Sequence, residues 1–445
     1  MEDDMLFPVE AGSSANAAPG GVPRVQVPER HQIEMVWTDL DSLIPDDHQV
    51  RVVWTFACEA DLSELYAQIR AIEGHAGRTP IDPCILLSLW LYATLRAVGS
   101  ARQLDSLCKE HIAYRWLCGG VSVNYHTLAD FRSDSGGTFE KLLTDSVARL
   151  RAAGLVTMER AAHDGLRVRA NAGSGSFRRK ATLERFRQEA AEQVQTLRRE
   201  LHDDPAASSQ RQKAARERAA RERLERVQEA LRQYPDVHAK KKQDKDEARV
   251  SVTDPDARKM HMPDGGCRPA YNVQLSADTG SQIVLGAGVI QSGSDHAQLV
   301  PAVEKIQAQQ KATPKELLVD GGFAKPADVE TLAQAPYECT VYAPPTVHKD
   351  KQGQVLEIKT DEGPHVAAWR ERMKTAEAQT IYRERAATIE CVNALARNRG
   401  LQQFRVRGLQ RVYAVVLLFV LAHNLMRAES LKQAAAAQAV RQDTG

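Results

Sequence analysis

Three carboxylates in this chain have the residue type and setting to do chemistry: Asp164 in AAHDGLRVRA, Asp320 in ELLVDGGF and Glu390 in YRERAATIECVNALAR. Two lie in or at the end of short apolar runs and the third sits on a strongly patterned helix, so folding can bring them to one divalent-metal site. Hard divalent ions take oxygen ligands, and two of them about 3.5–4 Å apart can activate an attacking oxygen while stabilising the leaving one. The pattern therefore points to metal-assisted cleavage and transfer of a DNA phosphodiester. No Cys/His metal set, Walker loop, GxSxG or dinucleotide glycine pattern competes with it.

Each acid makes a demand on its element. In HDGLRVRA, strand alternation puts Asp164, Leu166 and Val168 on one face and Arg167 and Arg169 on the other, so Asp164 needs a cation or donor partner on the apolar side. His163 turns away from Asp164 and reads as structural. Asp320 ends Leu317-Leu318-Val319 and precedes two glycines that allow close approach of backbone or substrate; ligands gather at the carboxyl ends of parallel strands. On an ideal helix, at about 100° per residue, positions seven apart return to within roughly 20°, so Arg383, Glu390 and Arg397 form one stripe with Asn393 near it. Guanidiniums on that stripe can grip phosphate. Asp254, Asp256 and Asp264 are weaker alternative carboxylates in a turn-rich segment.

The elements that position these acids follow from periodicity. From about residue 30 to 132 the pattern is helical, with Pro80 opening IDPCILLSLWLYATLRAV and Ser100 capping SARQLDSLCKEH. Short successive helices bearing Arg102, Arg115, His126 and Arg132 can present a helix-turn-helix to DNA. A charged helical hairpin then interrupts the chain from about 177 to 234, within an insertion reaching about 250; its Arg-rich faces either track DNA backbone or are simply solvated. YNVQLSAD and SQIVLGAGVIQ read as a hairpin around Thr279-Gly280, and ELLVDGGF and YECTVYAPP, alternating with helices, as parallel strands. A polar stretch over 348–368 reads as a loop insertion. The most apolar run, VYAVVLLFVL, is about half the length needed to cross a bilayer and reads as a buried helix.

At 445 residues the chain exceeds one ordinary core. The net charge of +1 gives no argument for nucleic acid from total charge, so only local patches can attract phosphate. Seven scattered cysteines with no CxxC pair point to reduced thiols in a cytosol-like compartment. The opening Met-Glu-Asp-Asp lacks the basic start and apolar core of a secretory signal, and residues 1–28 read as a disordered lead-in.

The order of elements, with AAHDGLRVRANA, TDPDARKMHMPDGGCRPAYNVQLSAD, LLVDGGF, the 382–427 segment, PDDHQVR, SARQLDSLCKEHIAYRWLCGG and NYHTLADFR, resembles the DDE transposases of bacterial insertion sequences over about 30–430. The resemblance implies an α/β fold: an RNase H-like mixed sheet flanked by helices over 151–430, an all-α N-terminal domain over 29–150, the helical-hairpin insertion, and a flexible tail over 431–445. It implies Mg2+ or Mn2+ on Asp164, Asp320 and Glu390, with a cytoplasmic, nucleoid-associated enzyme that acts, as a dimer, on double-stranded DNA at terminal inverted repeats and on target DNA, with no membrane partner. The implied activity is cleavage at the element ends and 3′-hydroxyl strand transfer; the alternatives are a catalytically silent DNA-binding relative and a magnesium-dependent nuclease of the same fold. The family's signature places Tyr, then Arg after two intervening residues, Glu after three more and a basic residue after a further six. Tyr382, Arg385 and Arg397 fit, but four residues separate Arg385 from Glu390. On an ideal helix Arg385 points about 140° away from Glu390, whereas Arg383 does not, so both remain candidates for gripping phosphate. Arg102, Arg132 and Arg397 complete the expected DNA contacts.

Overall fold

The computed structural model describes residues 31, 37–71, 79–203, 207–241, 247–345 and 363–443. The expected lead-in over 1–28 lies outside them, as does most of the polar stretch over 348–368. Residues up to Leu43 and residues from Ile44 form two compact units. In the first, a 3-10 turn at Asp41–Leu43 is closed by Asp39, whose carboxylate accepts from the Ser42 N–H (2.9 Å) and Oγ (2.8 Å).

The second unit begins with seven helices: α1 (Gln49–Glu59), α2 (Ser63–Ala67), α3 (Pro83–Leu95), α4 (Ala101–Glu110), α5 (Ile112–Cys118), α6 (Tyr125–Asp134) and α7 (Gly136–Ala152). Helix α3 starts at Pro83 rather than near Pro80, because Asp82 caps it by accepting from the Cys84 N–H at 2.8 Å and Pro83 fills the first position. It is buried from Pro83 through Ala93. Ser100 caps α4 as its sequence requires.

Ten strand-forming residues follow as β1 (Arg160–Arg169). Next come β2 (Phe177–Arg178), the long helices α8 (Lys180–Asp203) and α9 (Ala207–Lys240), and β3 (Val250–Ser251). Pairing of β2 with β3 closes the base of the helical hairpin, which carries its own small core around Leu183, Ala230 and Val250. Helix α9 runs on through Pro235, six residues past the expected end at Tyr234. The sheet continues with β4 (Arg258–His261), β5 (Cys267–Asp278), β6 (Val284–Ile290), β7 (Glu316–Leu318) and β8 (Thr340–Tyr342), with α10 (Leu299–Gln310) and α11 (Pro326–Ala333) between the last three strands.

The sheet order is β4-β5-β1-β7-β8, with β6 also paired to β5. Strands β1, β7 and β8 run parallel, and β5 is antiparallel to β1 and β6, so the result is a mixed sheet. Helices α12 (Pro364–Lys374), α13 (Ala376–Arg385) and α14 (Cys391–Asn398) follow, the last two joined by a π-helical turn at Ala386–Glu390, and then α15 (Leu409–Asp443).

Helix α15 joins the helical layer to the sheet. It packs on α3, α6 and α7 as well as on β6. Leu417, Leu418, Phe419, Val420 and Leu421 are each at most 1 % exposed, as an all-round apolar segment must be in a buried position. Composition alone would let this helix cross a membrane, but its apolar half is spent on the core. The Asn424 amide donates to the Val284 carbonyl (2.9 Å) and accepts its N–H (2.8 Å), which satisfies an otherwise open strand edge. In the tail expected to be flexible over 431–445 the chain continues as helix to Asp443, because LKQAAAAQAVRQ is rich in strong helix formers and contains no breaker.

Candidate active site

Strand β1 presents Asp164 on the same face as the buried Leu166 and Val168. Oδ2 accepts from Asn393 Nδ2 at 3.0 Å, Oδ1 accepts from the Gly165 N–H at 2.9 Å, and Arg385 Nη2 stands 3.5 Å from Oδ1. Burial pushes the Asp164 carboxyl above the usual carboxylate range, Arg385 pulls it back, and the charges of Asp295 and Asp320 push it further up. His163 faces the other side, between Ser276 Oγ (2.8 Å) and Gln274 Oε1 (2.9 Å), and burial holds its pKa down at about 4. A neutral, doubly bonded imidazole on the far face of the sheet is structural.

Parallel pairing of β1 with β7 sets Ala162 opposite Leu318. Two residues further along each chain stand Asp164 and Asp320, near enough for the Asp320 charge to raise the Asp164 carboxyl. The Val319 N–H still donates to Tyr342 O (3.0 Å), after which the chain turns and leaves Asp320 exposed. Gly321 is required at this turn: a β-carbon there would lie 2.8 Å from the Pro344 carbonyl oxygen. Gly322 has open space around it, so only one of the two glycines serves a close approach.

Glu390 ends the π-helical turn. Five residues make one turn there, so Arg385 and Glu390 come onto the same side, and Arg385 Nη1 donates to Glu390 Oε1 at 2.9 Å. The Thr388 hydroxyl donates to the Glu384 carbonyl (2.8 Å), supplying a bond at the point where the regular ladder is interrupted. The ideal-helix expectation is thereby reversed: Arg385 pairs with Glu390, whereas Arg383 is exposed and makes no ion pair with it. Arg397 is exposed on α14, seven residues beyond Glu390.

The three carboxylates act on a common neighbour. The Tyr382 phenol is pushed upward by burial and by Asp320, Glu390 and Asp164, against the pull of Arg385. Arg385, only 12 % exposed, spans Asp164 and Glu390. This places a guanidinium between two of the three expected acids. Among the described residues no three His, Cys, Asp or Glu side chains are grouped to hold a metal. The donor set is all oxygen, the ligand type that a hard cation takes.

The sequence did not single out the residues that hold this geometry. Arg160 Nη1 reaches both Glu384 carboxylate oxygens at 2.7 Å, and its Nε reaches Glu316 Oε2 at 2.6 Å, fastening α13 to β1 and β7. One signal was available in the family spacing: a single extra residue between the arginine and glutamate of a helical motif is what a π-turn accommodates.

Residues expected to meet DNA divide into two groups. Arg102 is exposed on α4, its guanidinium 5.1 Å from the centre of the Tyr125 ring, and Arg115 and His126 are also exposed. Arg132 is 6 % exposed: its guanidinium lies 4.2 Å from the centre of the Trp90 ring, Nη1 donates to Gly99 O at 2.7 Å, and burial pushes its pKa down to about 10. Its assignment to DNA is therefore corrected to a core role, since a charge turned inward cannot reach phosphate.

The alternative carboxylates are also structural. Asp254 accepts from Tyr271 OH (2.7 Å) and Gly408 N (3.1 Å), Asp256 accepts from Leu409 N (2.8 Å) at the start of α15, and Asp264 pairs with Arg268.

Residues 335–428 match a family described as Transposase DDE domain, and residues 38–134 match one described as Transposase domain (DUF772). The first match contains Arg385, Glu390 and Arg397 and stops short of Asp164 and Asp320. No curated protein and no solved structure matched the chain.

Proposed function

The two matched regions indicate a transposase of the DDE type carried by insertion sequences, and from that premise we propose that the chain cuts DNA at the element's ends and transfers the freed strand to target DNA. The observation that carries this reading is the Arg385 bridge between Asp164 on β1 and Glu390 at the end of the π-turn, with Asp320 at the end of the neighbouring strand β7. The strand order β6-β5-β1-β7-β8, antiparallel then parallel, supports an RNase H-like arrangement of the catalytic domain.

In this reading Asp164, Asp320 and Glu390 would hold a divalent ion, Mg2+ or Mn2+, which would supply activation of the attacking oxygen and neutralise the leaving one. Asn393 keeps one Asp164 oxygen oriented. Arg385 turns from its carboxylates toward the phosphate, with Arg397 on the same helical segment. In the first step a water oxygen attacks phosphorus and the bond to the 3′ oxygen breaks, leaving a 3′ hydroxyl. In the second, that hydroxyl attacks a target phosphodiester, forming a new P–O bond and displacing a target 3′ oxygen. Exposed Arg102 and Arg115 offer the helical layer a way to hold the terminal inverted repeats, and two copies acting together would pair the ends.

The test is incubation of the purified chain with duplex DNA carrying the flanking inverted repeats, with Mg2+ or with chelator. Metal-dependent end cleavage and joined products, both lost in Asp164→Asn, Asp320→Asn and Glu390→Gln, are expected. Because burial already opposes the charged form of Asp164, the Asn variant should fold at least as well as the parent, so its loss of cutting would be chemical. Tight end binding without cutting would identify a binding-only relative. Cutting at sites unrelated to the ends, without joining, would identify a nuclease.

A further inference from the structure

We infer that the segment joining α14 to α15, residues 399–408 with Arg397 and Arg411 at its borders, is a track for the phosphate backbone of duplex DNA. The inference rests on the DNA-cutting reading and assigns it a surface that the catalytic residues do not define. Between residues 391 and 428 there is no Asp or Glu, yet Arg397, Arg399, Arg405, Arg407, Arg411 and Arg427 all fall there. In a chain with a net charge of +1, this is a local concentration of one sign. Arg397, Arg405, Arg407 and Arg411 are exposed, and none forms an ion pair among the described residues.

The hairpin arginines behave differently. Arg185, Arg221, Arg226 and Arg232 each pair with a glutamate one turn away, so much of that charge is spent within the helices.

The segment is held in place before any partner arrives. It runs beside the end of β1, where the Arg169 N–H donates to Gln402 O (3.1 Å) and the Phe404 N–H donates to Arg169 O (2.8 Å). Asn171 Nδ2 donates to Arg405 O (3.2 Å), and Arg407 Nε donates to Asn171 O (3.1 Å). Phe404 and Val406 are buried at 1 % and 8 %, which leaves the alternating Arg405 and Arg407 facing outward on an anchored strip.

Three features select duplex phosphate as the partner. Four guanidiniums that form no ion pair among the described residues suit phosphate oxygens. The strip's one aromatic residue, Phe404, is buried, so it has no platform for stacking the bases of a single strand. Arg169, where the strip joins β1, lies five extended residues from Asp164, or about 17 Å, which is about five base pairs of duplex. A duplex cut at Asp164 would thus meet the strip about half a helical turn away.

The experiment uses the full chain and a labelled duplex of arbitrary sequence, followed by fluorescence anisotropy over a range of KCl concentrations. For the double variant Arg405→Gln/Arg407→Gln, the dissociation constant should rise roughly tenfold at low salt and the slope of log K against log salt should fall by about two. The thermal midpoint should fall only slightly, through loss of the single Arg407 Nε bond to Asn171 O, and the hairpin variant Arg185→Gln/Arg221→Gln should leave the slope alone. An unchanged slope in the strip variant would overturn the assignment, as would a larger loss on single-stranded oligonucleotide or on polyglutamate than on duplex. If the parent cuts element ends while the strip variant binds duplex normally, only the strip assignment fails. If the parent binds no duplex, the DNA-cutting reading fails with it.

Discussion

Arg385 donates to Glu390 at 2.9 Å although the two stand five positions apart, because the chain between them forms a π-helical turn and not an α-helical one. That contact decides which arginine belongs to the acidic site. It also explains how the chain tolerates one residue more than the family spacing: the wider turn absorbs the extra position, and α14 leaves in the register that keeps Val392 and Ala396 buried and Asn393 against Asp164.

Deleting one residue from the turn should therefore be tolerated. Without exposed Ala386, Arg385 and Glu390 stand four apart, which an ordinary α-helix also brings together. Circular dichroism melts should show a midpoint close to the parent's, and end cleavage should survive. Inserting a second alanine at the same place should rotate Glu390 by about 100° and abolish cleavage. Equal loss of activity from deletion and insertion would show that the turn has another role.

Arg385 now neutralises two carboxylates that would otherwise repel. Arg385→Gln should lower stability without metal by about 1–3 kcal/mol, as expected when charge-assisted hydrogen bonds are removed, and Mn2+ should restore it. The same variant should bind Mn2+ several-fold more tightly in a paramagnetic-resonance titration, because the internal competitor is gone. Arg383→Gln should match the parent in both measurements. Weaker Mn2+ binding in Arg385→Gln would mean that the guanidinium assembles the site and does not compete for it.

Arg132 offers a test of core against surface. Arg132→Ala removes a hydrogen bond to Gly99 O and the contact with Trp90, and should cost about 2–4 kcal/mol in denaturant unfolding. The salt dependence of DNA binding at temperatures where the variant is folded should not change. A reduced slope would return Arg132 to the DNA surface.

Acid stability should depend on His423. Its Nε2 donates to Gln282 O at 2.9 Å, its buried Nδ1 has no partner among the described residues, and burial lowers its pKa from 6.5 to about 4. Because the folded pKa is depressed, this contribution is complete above pH 6.5 and is lost as pH falls toward 4, by roughly 3 kcal/mol at most. His163 is shifted in the same direction by burial and adds to the loss. His423→Gln should flatten the decline in unfolding free energy over this window, and an identical slope in parent and variant would exclude the residue.

Much of this architecture was legible because it is local. Alternation in HDGLRVRA separated Asp164 from His163, an all-round apolar run marked the buried part of α15, and turn residues marked the β5–β6 hairpin. Runs of like periodicity depend only on neighbours a few residues away, which a sequence displays directly.

What only the tertiary structure decided concerns groups brought together from far along the chain. Asn393 reaches Asp164 across 229 positions and Arg160 reaches Glu384 across 224, and no spacing rule relates such pairs. Arg132 and Arg102 look alike in sequence, yet one is sealed against Trp90 and the other is open to solvent, because burial depends on which helices pack over a side chain. The partner of Glu390 depended on a single π-turn, where the backbone departs from the ideal angle that any reading of helical stripes assumes.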